Sequence, residues 1–172
     1  MKSYRLHIYH LLILLMPATR LFHVKSALLR WAGATIGDNV RIVSSAKFYL
    51  TGQLTIGDNT WIDHEVLIVG GDAPVCIGKN VDIAPRVNII TGGHQPFGIP
   101  GKAAGEGYSK SIKIADGAWI GAASTILGGV SIGDQSIVAA GALVRADVPG
   151  KGIVAGVPAR PIRNSKTDLS GQ

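Results

Sequence analysis

The 172-residue chain has a single cysteine, Cys76. That excludes an intramolecular disulfide framework and a zinc site built from several thiolates, and a reducing compartment fits best. Aromatic residues make up only 6% of the chain and charged residues 16%, whereas hydrophobic residues reach 47% and glycine occurs 23 times. A chain so apolar yet so rich in turn-formers points to many short strands rather than long surface helices. The formal charge is +6, but no aromatic-flanked basic motif or recognition-helix pattern accompanies it. The basic residues gather near the two ends, so nucleic acid is not expected as a partner. The length indicates one domain.

Long hydrophobic runs are also missing. The apolar stretch from Ile8 to Met16 is about half of the roughly 20 residues that a membrane-crossing helix needs, and His10 interrupts it. Lys2 and Arg5 precede it in the manner of a signal peptide, but no A-x-A cleavage site follows and Pro17 begins a new segment, so secretion is not expected. Residues 1–33 are expected to form an apolar, basic helical segment. It either packs on the base of the main domain or lies on an anionic membrane surface, with Arg20, Lys25 and Arg30 flanking it.

From Ile36 onward a repeat dominates. Aliphatic residues recur every six positions, without a slip, at Ile114, Ile120, Ile126, Ile132, Val138 and Val144. The residue four places after each is small or β-branched, as at Ala118, Ser124, Val130, Ser136, Ala142 and Val148. Ile36 and Ile42, Ile56 through Ile68, and Ile77 through Ile89 keep the same register. A period of six suits neither an α-helix nor a long amphipathic strand. It suits a prism whose faces are short strands, three hexapeptides to a coil, with aliphatic side chains stacked inside and small residues turning the corners. Burial of one such side chain contributes about 1.5–3 kcal/mol.

The period breaks between Ile89 and Ile114, where residues 95–110 read QPFGIPGKAAGEGYSK. The glycines and prolines argue for a loop without regular structure, and a loop of this length inside a repeat array is more often functional than accidental. His94 stands at its root. A lone histidine is commonly a solvated surface residue, so the weight lies on its surroundings.

Three segments carry a resemblance: IGKNVDIAPRVNIITGGH from Ile77 to His94, GEGYSKSIKI from Gly105 to Ile114, and the stretch from Trp119 to Arg163 that ends in AGVPARPIR. The chain resembles the hexapeptide-repeat acyltransferase superfamily, and within it the galactoside and maltose O-acetyltransferases. That resemblance implies an all-β fold, a left-handed parallel β-helix, spanning 34–155, with an active-site loop at 95–110 and a C-terminal tail at 156–172. It also implies acetyl-CoA as co-substrate, no metal, a sugar acceptor and a homotrimer whose active sites lie between subunits. By the same resemblance His94 is the general base and His64 and Asp72 contact the acceptor. Trp119, Ala122, Ala140, Arg145, Arg160 and Arg163 line the coenzyme groove. His64 stands where the group usually has Asn, and Ala122 and Arg145 replace Ser and Thr. His64 can equally be a plain outward residue, and Asp72 in Gly70-Gly71-Asp72 a turn residue.

The chemistry accounts for a histidine. A sugar hydroxyl is almost never ionised at neutral pH and attacks a thioester only if a positioned group removes its proton, which imidazole does well. The stretch LLRWAGATIGDNVRI resembles the entry of acetyltransferases from exopolysaccharide pathways such as colanic acid synthesis. This implies sugar O-acetylation in bacterial surface polysaccharide synthesis, in the cytoplasm and peripherally at the inner face of the membrane. N-acetylation of an amino sugar is the nearest alternative, and a non-catalytic trimeric scaffold a remote one. A γ-type carbonic anhydrase would need three zinc-binding histidines, and the repeat region holds only His64 and His94.

Overall fold

The structure is a computed structural model and describes residue 1 and residues 3–164. Two helices, α1 (Ser3–Leu14) and α2 (Phe22–Trp31), precede the strands. The strands then follow in threes: β1 (Thr35–Ile36), β2 (Arg41–Ile42) and β3 (Lys47–Tyr49); β4 (Leu54–Ile56), β5 (Trp61–Ile62) and β6 (Leu67–Val69); β7 (Val75–Ile77), β8 (Asp82–Ile83) and β9 (Asn88–Ile90). After β10 (Gly92–Ile99) and β11 (Lys102–Ser109) the threes resume with β12 (Ile112–Ile114), β13 (Trp119–Ile120) and β14 (Thr125–Leu127), then β15 (Ser131–Ile132), β16 (Ile137–Val138) and β17 (Leu143–Val144). The described chain closes with β18 (Gly152–Ala155) and β19 (Arg160–Asn164).

Each three visits the same three sheets in rotation. Sheet A has the order β1-β4-β7-β12-β15, sheet C the order β3-β6-β9-β14-β17, and sheet B runs β2-β5-β8-β13-β16-β18-β19. Within these three sheets all pairs are parallel except β18 with β19. The six-residue register therefore becomes three vertical stacks. Ile36, Ile56, Ile77, Ile114 and Ile132 are mutual partners in sheet A. Ile42, Ile62, Ile83, Ile120, Val138 and Val154 are partners in sheet B. Phe48, Ile68, Ile89, Ile126 and Val144 are partners in sheet C. All of them are buried in one continuous core, together with the small corner residues from Ala118 to Val148.

The corners differ in kind. Connections from sheet A to B (37–40, 57–60, 78–81, 115–118, 133–136) and from B to C (43–46, 63–66, 84–87, 121–124, 139–142) have constant length. Most of these carry one residue in the left-handed region, such as Asn39, Asn59, Asn80 and Gln135 at the first corner and Glu65, Arg86 and Ala123 at the second. Connections from C back to A (50–53, 70–74, 91–111, 128–130) vary in length. Only the third corner can absorb an insertion without breaking a repeated turn, and that is where β10 and β11 lie.

The helices cover the first turn of strands. Leu6, Tyr9 and Ile13 of α1 and Leu29 of α2 join the same core as the coil, which realises the packed alternative for one face of α1. Lys25, a flank in the membrane-surface alternative, is fully buried, and its ammonium donates to the carbonyls of Pro17 and Ala18 at 2.9 and 2.7 Å. A lysine in that place adds a charge-assisted donor to two carbonyls of the α1–α2 connection, which Arg20 and Ser44 also reach. Arg30 is likewise engaged, donating to the carbonyls of Ile36 and Gly37.

His10 ties α1 to β3. It is buried, its Nε2 accepts the Phe48 backbone N–H at 3.2 Å, and its ring stacks on Phe48 at 6.5 Å between centroids. Burial, with Lys47 and His7 adding repulsion, pushes its pKa down to about 4. The folded value lies below the unfolded one near 6.5, so the stability that neutral His10 contributes is complete above about pH 6.5 and is lost as the pH falls towards 4. Urea midpoints are expected to fall across that window in wild type. They should stay nearly flat in His10→Gln, whose amide oxygen can still accept from Phe48.

Candidate active site at the third corner

The segment 95–110, expected to lack regular structure, is an antiparallel hairpin. β10 pairs with β11 from Gly92 opposite Ser109 to Ile99 opposite Lys102, with register shifts on either side of Pro96. Proline has no N–H to give the ladder and is accommodated at such an irregularity. Gly101, with φ +76°, makes the tip. The glycines that argued against structure are what permit this one: a Cβ on Gly105 would lie 2.8 Å from the Gln95 oxygen and the Gly98 nitrogen, and one on Gly93 would lie 2.6 Å from the Tyr108 ring.

His94 is exposed on β10, opposite Gly107. Its Nδ1 lies 2.9 Å from the carbonyl oxygen of Gly105. A carbonyl only accepts, so Nδ1 carries a proton, and in the neutral ring the lone pair lies on Nε2. The hairpin root is fastened to the corner below it. Lys110 N–H donates to the Thr91 carbonyl, Ser109 Oγ donates to Thr91 Oγ1 at 3.2 Å, and Ala73 N–H donates to Ser109 Oγ at 3.2 Å. Asp72, exposed in the 70–74 turn, is thereby placed on the same corner as His94, one coil earlier.

The other expected residues divide between corners. His64, Ala122 and Ala140 lie on the second corner, joined coil to coil as Arg86 N–H bonds to the His64 carbonyl, Ala123 to Pro85 and Gly141 to Ala122. Trp119 lies beside that line, exposed on sheet B. Arg145 follows β17 and falls on the third corner with His94 and Asp72. Arg160 stands exposed at the start of β19, and the side chain of Arg163 lies outside the described residues. Within one chain, then, His94 and His64 sit at different corners.

His64 is not an isolated imidazole. Its Nδ1 is 2.6 Å from Asp63 Oδ1, so it too is held with Nε2 outward. Burial opposes the charged form of Asp63, but hydrogen bonds from His64 and Trp61 outweigh it and hold the carboxyl below its ordinary value. The pair opens onto a feature that sequence reading passed over. Arg41, Trp61, Asp82 and Trp119 are in lateral register on the outer face of sheet B, and with Asp63 they line a shallow cavity of about 390 Å³. The Arg41 guanidinium lies over the Trp61 ring at 4.6 Å. The signal was present in the repeat: each of the four immediately precedes a core isoleucine, the position that must point outward. Among the described residues, no group of three His, Cys, Asp or Glu side chains is placed to hold a metal ion.

Comparison with known proteins bears on the family of the chain. Residues 111–146 match the bacterial transferase hexapeptide (six repeats) family. The chain is 37% identical over 139 residues to galactoside O-acetyltransferase of Escherichia coli K12, covering 81% of this chain and 68% of that one. It is 32% identical over 148 residues to WcaF of the same organism, a candidate colanic acid biosynthesis acetyltransferase, covering 83% and 76%. Among solved structures, a hexapeptide-repeat acetyltransferase of Vibrio cholerae O1 biovar eltor complexed with acetyl coenzyme A superposes with a TM-score of 0.77 at 31% identity, covering 94% of this chain and 86% of that one. The chain belongs to the hexapeptide-repeat acyltransferase family.

Proposed function

We propose that the protein transfers an acetyl group from acetyl-CoA to a hydroxyl of a sugar or glycan intermediate in bacterial surface polysaccharide synthesis. It does so on a left-handed β-helix over 34–155, with 1–33 as a helical segment and 156–172 as a tail. The observation that carries this reading is the 2.9 Å bond from His94 Nδ1 to the Gly105 carbonyl. It fixes the one tautomer in which an imidazole can act as a base through Nε2. The WcaF and galactoside enzymes, by their names, support acetylation of a carbohydrate.

In this scheme Nε2 takes the proton of the acceptor hydroxyl as its oxygen attacks the thioester carbon. The tetrahedral intermediate collapses, the carbon–sulfur bond breaks, and the imidazolium returns the proton to the departing thiolate of coenzyme A. The Gly105 carbonyl, already accepting from Nδ1, stabilises the imidazolium between the two steps. A backbone N–H serves the oxyanion. Asp72 and the Asp63-held His64 supply acceptors and a lone pair for sugar hydroxyls, and Trp61 and Trp119 offer flat apolar faces beside Asp82. Trp119, Ala122 and Ala140 on one side, with Arg145, Arg160 and Arg163 for the phosphates, receive the coenzyme.

The separation of His94 and His64 onto different corners supports a closed ring of three copies, in which the third corner of one copy meets the second corner of the next. A heterologous contact that closes after three steps fits a three-sided cross-section.

A thioester-cleavage assay over a panel of sugars, amino sugars and nucleotide sugars tests the reading. An acceptor modified on oxygen is expected, with His94→Ala slower by about 10²- to 10⁴-fold and the affinity for acetyl-CoA little changed. Equal rates for the two enzymes would remove His94 from the role, and product acylated on nitrogen would replace the hydroxyl acceptor with an amine. Gly105→Ala is expected to lower kcat by at least about tenfold, because a methyl group there collides with backbone and displaces the carbonyl that orients His94. Normal kcat in that variant would mean that the orientation is unimportant.

A further inference from the structure

A helix that is apolar all round needs cover on both sides, and α1 has it on one. Leu6, Tyr9 and Ile13 face the core. On the opposite side Tyr4, Ile8, Leu11 and Leu15 stand 58, 40, 66 and 86% exposed along one stripe at helical spacing. The charge of the N-terminal segment has one sign. Residues 1–37 hold Lys2, Arg5, Arg20, Lys25 and Arg30 and no aspartate or glutamate; the first acidic residue is Asp38. Lys25 is internal and Arg5 is partly exposed, donating to the Trp31 carbonyl, while Arg20 is exposed in the connection that follows α1.

We propose that the outer face of α1 docks the protein on an anionic phospholipid bilayer, lying in the plane of the interface. Twelve helical residues extend about 18 Å, too short to cross an apolar layer of about 30 Å, and among the described residues no helix is long and apolar enough to do so. A stripe of large side chains sinking between head groups, with cations beside it, is the architecture of an interfacial helix. A second copy seated on this same face is disfavoured, since it would oppose basic residues with basic residues and provide no acid within this segment; burial of the stripe against a different face of a neighbouring copy is separated from membrane docking by the solution mass. An anionic bilayer supplies both the missing apolar cover and the missing opposite charge. Because α1 packs against the first turn of the coil, the coil then stands end-on at the membrane and its corners run away from the surface. The inference does not depend on the role of His94, and its test involves no acyl transfer.

Vesicle sedimentation of the full chain distinguishes the outcomes. Wild type is expected to sediment with vesicles of phosphatidylglycerol and phosphatidylethanolamine, at least about tenfold more tightly than with phosphatidylcholine alone, and to be released by high salt. The pair Leu11→Glu and Leu15→Glu, both at exposed positions, should weaken this by about tenfold or more while leaving the circular dichroism and the solution mass unchanged. Arg20→Glu should weaken binding to the anionic vesicles by about tenfold with no effect on phosphatidylcholine. Absence of wild-type sedimentation overturns the proposal, as does binding that survives the leucine substitutions. A fall in solution mass on those substitutions overturns it too, by assigning the stripe to contacts between copies.

Discussion

Stacking of like on like holds this protein together. In a coil with a six-residue period every inward side chain has its counterparts directly above and below, so Ile77 meets Ile56 and Ile114 and Ile83 meets Ile62 and Ile120. Each turn of strands buries its aliphatic residues only because neighbouring turns carry the same residues at the same positions, which is why such arrays gain stability by repetition. The repeat also fixes what can vary. Two corners use a backbone conformation that recurs turn after turn, and the third does not. The hairpin that carries His94 stands where the repetition is relaxed.

The third corner shows how a rigid frame positions a mobile kind of residue. His94 is carried on an exposed hairpin, yet its ring is fixed by a carbonyl of the opposite strand, and the hairpin root is tied through Thr91 and Ser109 to the Ala73 backbone of the preceding coil. The path from the stacked core to Nε2 is a short chain of hydrogen bonds. On the second corner the Asp63–His64 pair reaches a similar result by a different route, with a carboxylate in place of the carbonyl. Two oriented imidazoles thus stand on two different corners of one chain.

The three sheets were legible in the sequence because a period of six has few structural solutions. Each aliphatic position from Ile114 to Val144 is buried as the pattern requires, and the first turn differs only in using Phe48 where later turns use isoleucine or valine. The hairpin was not legible. Its pairing depends on contacts made after folding, such as Tyr108 over Gly93 and the Gln95 backbone against Gly105, and glycines read locally as breakers become necessary there. The buried face of α1 was likewise hidden, because a helix apolar on all sides has no stripe to mark its inside. The burial of Lys25 is not visible in a sequence, since nothing there shows that two carbonyls will meet its ammonium. The outward row on sheet B could have been read, since Arg41, Trp61, Asp82 and Trp119 hold the same place in their repeats.

A stack of parallel strands has an inherent hazard at its ends. The strands β1, β2 and β3 pair on one side only, and a row of free N–H and C=O groups is a template on which another chain can add. With α1 and α2 seated across those strands, clamped by His10, Arg30 and Ser26, another coil cannot add at that end, and at the far end β19 laid antiparallel on β18 covers the edge of sheet B. The helical cap is in this sense a terminator: it keeps an architecture suited to endless fibre growth as a particle of fixed length.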